Sequence, residues 1–212
     1  MSRRDTRELV LQTSLLLFNE LGEPNVTTNH IADAADISPG NLYYHFRSKD
    51  DIVLVLFERF LEHFLPLVSI PDGALLDAEE LWFQLHLAFE AKGEYRFLYR
   101  NLADLTARIP NLNRAMRGLL VRERAAIRNS LSGLENNSIL QLDDSQKERL
   151  IDSVLLHLTY WIPFSDLFNP DGLEDGTAQV EAIASVLMLI SPHLREPERD
   201  QFETLAERYL AR

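Results

Sequence analysis

The chain contains no cysteine, which excludes disulfides, thiol nucleophiles and thiolate metal sites. Glycine is scarce, eight residues in 212, and no glycine-rich phosphate loop occurs. No apolar run reaches the ~18 uncharged residues of a membrane-spanning helix. The N-terminus, Met1-Ser2-Arg3-Arg4-Asp5-Thr6-Arg7-Glu8, mixes acids and bases, and Gln12, Asn19 and Glu20 interrupt the apolar segment after it. It does not read as a signal peptide, so a cytoplasmic protein without membrane contact is expected. Basic residues are in deficit as well. The chain has 21 Lys and Arg against 33 Asp and Glu, a net charge of -12. That argues against a protein that coats nucleic acid indiscriminately.

Catalytic and metal signatures are also missing. The six histidines, His30, His45, His63, His86, His157 and His193, form no H-x-x-x-H pair, so a metal site has no sequence nucleus. No G-x-S-x-G or metalloprotease motif is found. An enzyme is not expected, and neither is a cofactor or a metal.

What the chain does contain is helix. Hydrophobic residues make up 46% of it, enough for a sizeable core, and they recur at three- and four-residue spacing. About nine helices are expected in an all-α fold. The first runs from about Arg4 to Leu21 and stops at Gly22. Thr27 or Thr28 caps the second, and Ile31, Ala34 and Ala35 form its buried side. Ser38 caps the third, with Pro39 at its first position. Ser48, with Asp51 three residues on, opens a fourth that reaches about Leu65. Further helices are expected from Asp77, over Tyr95–Ile109, over Asn111–Leu131, from Asp144 or Ser145 to Phe168, over Thr177–Leu194 and over Pro197–Leu210. Asn169-Pro170-Asp171-Gly172 is a strong turn signal, and Pro163 is expected to kink its helix.

The segment Thr28–Lys49 is the most informative. It reads as two short helices joined by a tight turn. At 100° per residue, Leu42 and Phe46 share one side of the second helix. Gly40, Asn41, Tyr43, Tyr44 and Arg47 cover the other, with His45 at its edge. Leu42 and Phe46 can lock onto neighbouring helices. The remaining face is polar and aromatic, which suits a DNA groove. Asn can bond adenine edges, tyrosine can touch thymine methyls or phosphate, and His45 and Lys49 can meet phosphates. Gly40 allows close backbone approach, and the free N–H groups near Thr27 and Thr28 attract a phosphate. Residues 1–50 hold five Lys and Arg against seven Asp and Glu, but Ile37–Lys49 contains no acid. An αα-hairpin with chance aromatics has the same periodicity, and geometry alone leaves that alternative open.

Leu17-Phe18, Gly22, Thr27-Thr28, Ile31-Ala32, Ala35 and the block Ile37–Lys49 closely resemble the N-terminal domain of the TetR family of bacterial transcriptional regulators. The resemblance covers about residues 4–64, and its most specific part is the Leu-Tyr-x-His-Phe-x-x-Lys core at Leu42–Lys49. One departure is Asp36, where many members have glycine; Asp tolerates the left-handed conformation better than most residues. The resemblance implies a three-helix helix-turn-helix domain over residues 1–48, its motif at about 27–46. A fourth helix joins it to a helical ligand-binding and dimerisation domain over 49–212. It further implies that Gly40, Asn41 and Tyr43 face bases or sugars, and that Thr28, Tyr44, His45 and Lys49 anchor phosphates. Asn29 is a further candidate for base contact, and Ser38 and Pro39, which open the reading helix, complete the DNA-facing set. Arg3 and Arg4 match a variable arm that reaches the neighbouring backbone or minor groove.

The second half resembles the family in helix number and order. Phe97–Leu102 and Pro110-Asn111-Leu112 are similar to a subgroup described as bacterial repressors. Trp82, His86, Phe89, Phe97, His157, Trp161 and Phe164 are candidates for an effector pocket, although helix-bundle core uses the same residue types. Helices near Leu150–Trp161 and Val180–Ile190 are candidates for a dimer bundle, with Val180, Ala184, Leu187 and Met188 as a seam. The leading expectation is a dimeric repressor that binds a palindromic operator in double-stranded DNA and is released by a small-molecule effector. The alternative is a helical ligand- or protein-binding module that does not bind DNA.

Overall fold

A computed structural model describes residues 3–210, with side chains from Asp5 to Arg208. The proposed arm side chains, Arg3 and Arg4, lie outside the described ones. Twelve α-helices occur among the described residues: α1 (Arg3–Leu21), α2 (Thr28–Ala34), α3 (Pro39–His45), α4 (Lys49–Leu67), α5 (Ala78–Glu94), α6 (Arg96–Arg100), α7 (Leu102–Arg108), α8 (Pro110–Asn136), α9 (Asp144–Phe168), α10 (Gly172–Asp175), α11 (Thr177–Ile190) and α12 (Glu198–Leu210). The fold is all-α, as the spacing predicts. No helix among the described residues is long and apolar enough to cross a membrane.

The twelve exceed the ten spans placed from the sequence by two, for local reasons. The helix expected over Tyr95–Ile109 breaks at Asn101, whose φ of -114° and ψ of 23° are not helical, into α6 and α7. One further turn, α10, forms beyond the Asn169–Gly172 signal. The helix expected to reach Leu194 stops at Ile190, because Pro192 cannot continue the hydrogen-bond ladder, and a 3-10 turn at Ser191–His193 follows. In the other direction, α8 outruns its expected end at Leu131 and passes through Gly133. That glycine is required by close approach: a Cβ there would lie 2.8 Å from the Leu76 side chain, and its carbonyl accepts the Leu76 N–H at 3.2 Å. Pro66 and Pro163 both sit inside their helices.

Contacts divide the chain into two compact units. The first gathers the described residues up to His63 together with Tyr95–Met116; the second gathers Phe64–Glu94 with the residues from Arg117 onward. The first unit closes on α1, α3 and α4. Phe18, Leu42, Phe46, Phe57 and Phe60 are buried there with Phe97 and Tyr99. Phe18 meets Phe97 with ring centroids 5.2 Å apart, and Phe60 meets Tyr95 at 5.4 Å. Each buried ring of this kind is worth about 1.5–3 kcal/mol relative to exposure. Asn19 fixes the same segment through polar bonds. Its Oδ1 accepts the Phe97 N–H at 3.1 Å and its carbonyl accepts Arg100 Nη1 at 3.1 Å.

The second unit packs α11 against α12, α9 and α5 around Ile183, Val186, Leu187 and Ile190. Its interior also holds an ion pair. Lys92 Nζ lies 2.5 Å from Glu123 Oε1, with both side chains buried, and donates to the Leu158 carbonyl at 3.0 Å. Burial pushes the Lys92 ammonium down from its ordinary value, while Glu123 opposes that shift.

Candidate nucleic-acid interface

The segment from Thr27 to Lys49 is built by local chemistry. Thr27 caps α2: its hydroxyl accepts the His30 N–H at 3.2 Å, while the Thr27 N–H reaches His30 Nδ1 at 3.5 Å. Of the two threonines that could cap, Thr27 does so, and Thr28 becomes the first helical residue. At the other end of α2 the Asp36 N–H bonds the Asp33 carbonyl and the Ile37 N–H bonds the Ala32 carbonyl, at 3.1 and 3.0 Å. This is a Schellman closure, and it places Asp36 in the left-handed region with φ 52°. Ser38 then caps α3, accepting the Asn41 N–H at 3.2 Å, with Pro39 in the first turn. The Ser48 hydroxyl accepts the Asp51 N–H at 3.1 Å, but Asp51 returns its bond to the Arg47 N–H rather than to Ser48.

These bonds give α3 two faces. Leu42 and Phe46 are buried, and the Arg7 guanidinium stacks 5.1 Å above the Phe46 ring. Ser38, Pro39, Gly40, Asn41, Tyr43, Tyr44 and Arg47 are exposed, Tyr43 by 50% and Tyr44 by 63%. His45 is half-buried with its ring edge-on to Tyr44 at 5.2 Å. The hydroxyls of Thr28 and Tyr43 lie 2.9 Å apart, in hydrogen-bond contact, so the start of α2 and the middle of α3 present one continuous polar edge. Asn29 is exposed beside Thr28. A Cβ on Gly40 would come no nearer than 4.0 Å to another group, so the glycine leaves open space on the outer side.

Lys49 stands apart from that edge. Its ammonium donates to the carbonyls of Glu23 and Val26, both at 2.8 Å, and lies 3.0 Å from Glu23 Oε1. The Glu23 side chain is fully buried, and Arg108 Nη2 reaches the same Oε1 at 2.8 Å. Arg108 also pairs with Asp50, and sits 3.7 Å from Asp104 one helical turn back. Neither Glu23 nor Arg108 was predicted to matter for the site. No periodicity joins residues 85 positions apart. At least three of the seven acids in residues 1–50 are thereby engaged by cations: Glu23, Asp50, and Glu8, which Arg59 holds at 2.8 Å. The acidic count of the segment is therefore not the charge of its polar edge.

The residues predicted for an effector pocket do not all meet. Phe97 belongs to the core of the first unit, against Phe18. In the second unit Phe89 packs edge-on to Trp161 at 5.5 Å and to His157 at 6.4 Å. Trp82 and His86 form a stacked pair on α5. His157, Trp161 and Phe164 border a cavity of about 420 Å³ between α9 and α11, together with Leu156, Tyr160 and Phe168. Burial lowers the His157 pKa below its ordinary value, against a smaller opposing effect from a hydrogen bond with the Ala182 backbone. The predicted dimer seam is divided: Ala184 and Leu187 are buried in the core, Val180 is half-buried and Met188 is exposed. An exposed apolar stripe lies on α9, which contains the other candidate dimer helix, at Leu156, Tyr160, Phe164, Leu167 and Phe168, with Leu167 88% and Phe168 78% exposed. Its four-residue spacing is visible in the sequence, but α9 is apolar on its buried side too, so periodicity did not single it out.

Comparison with known proteins bears directly on this geometry. Residues 10–56 match the model of the family described as bacterial regulatory proteins, tetR family, and residues 59–202 match one described as bacterial transcriptional repressor. The crystal structure of a TetR-family transcriptional regulator from Marinobacter aquaeolei VT8 is similar over 99% of both chains, with 34% identity and a TM-score of 0.87. The TetR family protein CprB from Streptomyces coelicolor A3(2) shares the fold, with a TM-score of 0.69 over 99% of this chain and 98% of that one at 18% identity. The HTH-type transcriptional repressor KstR2 of Mycolicibacterium smegmatis is 36% identical over 91 residues, 42% of this chain. The chain spans 43% of the length of that curated relative.

Proposed function

The chain belongs to the TetR family of bacterial transcriptional regulators and is a DNA-binding regulator of transcription, and from that premise we propose that it is a dimeric repressor which leaves a palindromic operator when a small molecule occupies its second unit. In functional terms the reader is residues 1–48, and residues 49–212 carry regulation and dimerisation. The observation that carries the reading of the site is the division of α3 into a buried side, Leu42 and Phe46, and a bare polar-aromatic side. On that side Gly40, Asn41 and Tyr43 meet bases or sugars. Thr28, Tyr44 and His45 meet phosphates, Asn29 adds a base contact, and Ser38 and Pro39 bring the start of α3 close to the groove.

Dimerisation is supported by the stripe on α9; Met188 and Leu189 on α11 are exposed as well. An exposed apolar stripe of this kind marks an interaction surface, and a second copy supplies a second reader for the other half-site, about 34–36 Å away. The effector reading is supported by the cavity between α9 and α11, whose 420 Å³ lies within the roughly 300–1,000 Å³ range of small-molecule sites. Trp161 and Phe164 give it apolar walls, and His157 and Glu181 give it polar groups. A second copy on the same face would cover this cavity, so effector and partner are coupled by linkage.

The test is fluorescence anisotropy with a labelled duplex that the purified protein selects from a random-sequence pool. Tight binding that weakens steeply with salt is expected, together with a loss of about tenfold or more for Tyr43→Ala. Failure to select any sequence would defeat the repressor reading, and unchanged binding by Tyr43→Ala would defeat the site.

A further inference from the structure

One carboxylate of the first unit is fully buried and still holds two cations. Glu23 sits in the 3-10 turn Glu23–Asn25 that leads into Thr27 and α2. Its carboxylate has no exposed surface, yet Oε1 holds two cations, Lys49 from the start of α4 and Arg108 from the end of α7. A buried carboxylate keeps its charge only when paired, so burying Glu23 requires these two partners. Lys49 in turn spends its three N–H groups inside the protein, on Glu23 Oε1 and the carbonyls of Glu23 and Val26. Meeting a phosphate would oblige it to surrender one of them. The three residues tie together the entry to α2, the start of α4 and α7, so they bracket the helix-turn-helix at both ends.

We propose that Glu23 is the positioning residue of the DNA reader, and that Lys49 and Arg108 govern DNA affinity through it rather than by touching phosphate. This rests on the reading that the polar face of α3 docks on DNA. It departs from the phosphate role that family resemblance gives Lys49. Arg108 is suited to the task because its planar guanidinium holds Glu23 and Asp50 together, which a lysine ammonium does less well.

The electrostatics separate positioning from contact. A buried acid cannot attract DNA, and deleting its charge favours the polyanion if charge alone matters. Weaker binding by Glu23→Gln therefore reports geometry. The measurement is anisotropy with the selected duplex over a salt series, for the wild type, Glu23→Gln, Lys49→Met and Arg108→Gln. Each variant is expected to lose about tenfold or more in affinity, the scale of one hydrogen bond to a charged group. The slope of log affinity against log salt is expected to stay at the wild-type value. A slope reduced by about 0.9 in Lys49→Met would mean one lost phosphate contact and would overturn the proposal, as would wild-type affinity in Glu23→Gln. Should Glu23→Gln not fold, Arg108→Gln decides, since its side chain is partly exposed. It must then lose affinity at unchanged slope, with amide exchange accelerated across residues 27–45. Tyr43→Ala is measured alongside. If it alone binds normally, the α3 face does not read DNA and the Glu23 proposal falls with it; if it alone loses affinity, the face stands and only the Glu23 proposal falls.

Discussion

Asp36 holds its backbone at φ 52° because the Schellman closure of α2 demands a left-handed residue there. A β-branched side chain at that φ costs about 1–2 kcal/mol. Asp36→Val is expected to lower stability by that amount in urea denaturation, whereas Asp36→Gly is expected to stay within about 1 kcal/mol of the wild type. An equal effect of the two would show that the turn is not held by its backbone. His157 makes a different residue-level claim. Burial lowers its folded pKa below the 6.5 of the unfolded chain. At pH below 6.5 the unfolded chain takes up a proton that the folded chain resists, so stability falls as pH drops from 6.5 toward the lowered value. Above 6.5 both states are neutral and the effect vanishes. Thermal melts from pH 7.5 to 5.5 are expected to show a decline that His157→Gln reduces; equal declines would remove His157 as the cause.

Helices carry the next level of the argument, and the pairing of α5 with α8 is its sharpest case. Lys92 and Glu123 face each other in an apolar interior, with Phe64 below the ammonium at 5.4 Å. Breaking such a pair strands a buried charge, at about 3–5 kcal/mol, whereas replacing both partners with apolar groups is often neutral. Lys92→Met and Glu123→Leu are each expected to destabilise by that amount, and the double variant much less than their sum. Additive losses in the denaturation midpoints would contradict this. The same helices show what was legible beforehand. Ser38, Pro39, Gly22 and the Asp77–Glu80 capping box, with bonds of 2.8 and 2.9 Å, mark their ends through residues three or four apart, and α3 shows both faces by period alone. The cap of α9 is displaced by one residue, since Asp143 rather than Asp144 accepts the Gln146 N–H. What stayed hidden depends on distant partners. Examples are the run of α8 past Gly133 against Leu76, the burial of Phe97 on Phe18, and the hold of Glu23 on Lys49. A period of 3.6 reports which residues share a face, and it cannot report which face another element covers. Period alone marks the helix near Leu150–Trp161 as a dimer candidate and Phe164 as a pocket candidate, without separating the exposed side of α9 at Leu156, Tyr160 and Phe164 from its buried one.

At the scale of the whole molecule, affinity and charge pull in opposite directions. A chain with net charge -12 gains little from general attraction to DNA, and the seven residues of α3 can address only a few base pairs. In the dimeric reading proposed above, specific binding depends on engaging two half-sites at once, and the apolar stripe on α9 is the surface that would join two copies. Placing a charge on it, as in Leu156→Glu with Phe164→Glu, sets a carboxylate where a partner would otherwise bury apolar surface, yet both positions are exposed within one chain. The double variant is therefore expected to fold with a melting temperature close to that of a wild-type monomer and to sediment at the 24.4 kDa of one chain. Binding to a full palindrome is expected to fall by about a hundredfold or more, because the second contact is no longer intramolecular. Binding to a duplex with a single half-site, where only one reader engages, is expected to stay unchanged. A variant that sediments as a dimer would move the interface off α9. A monomeric variant with full affinity for the palindrome would show that one reader suffices, and would remove dimerisation from the mechanism.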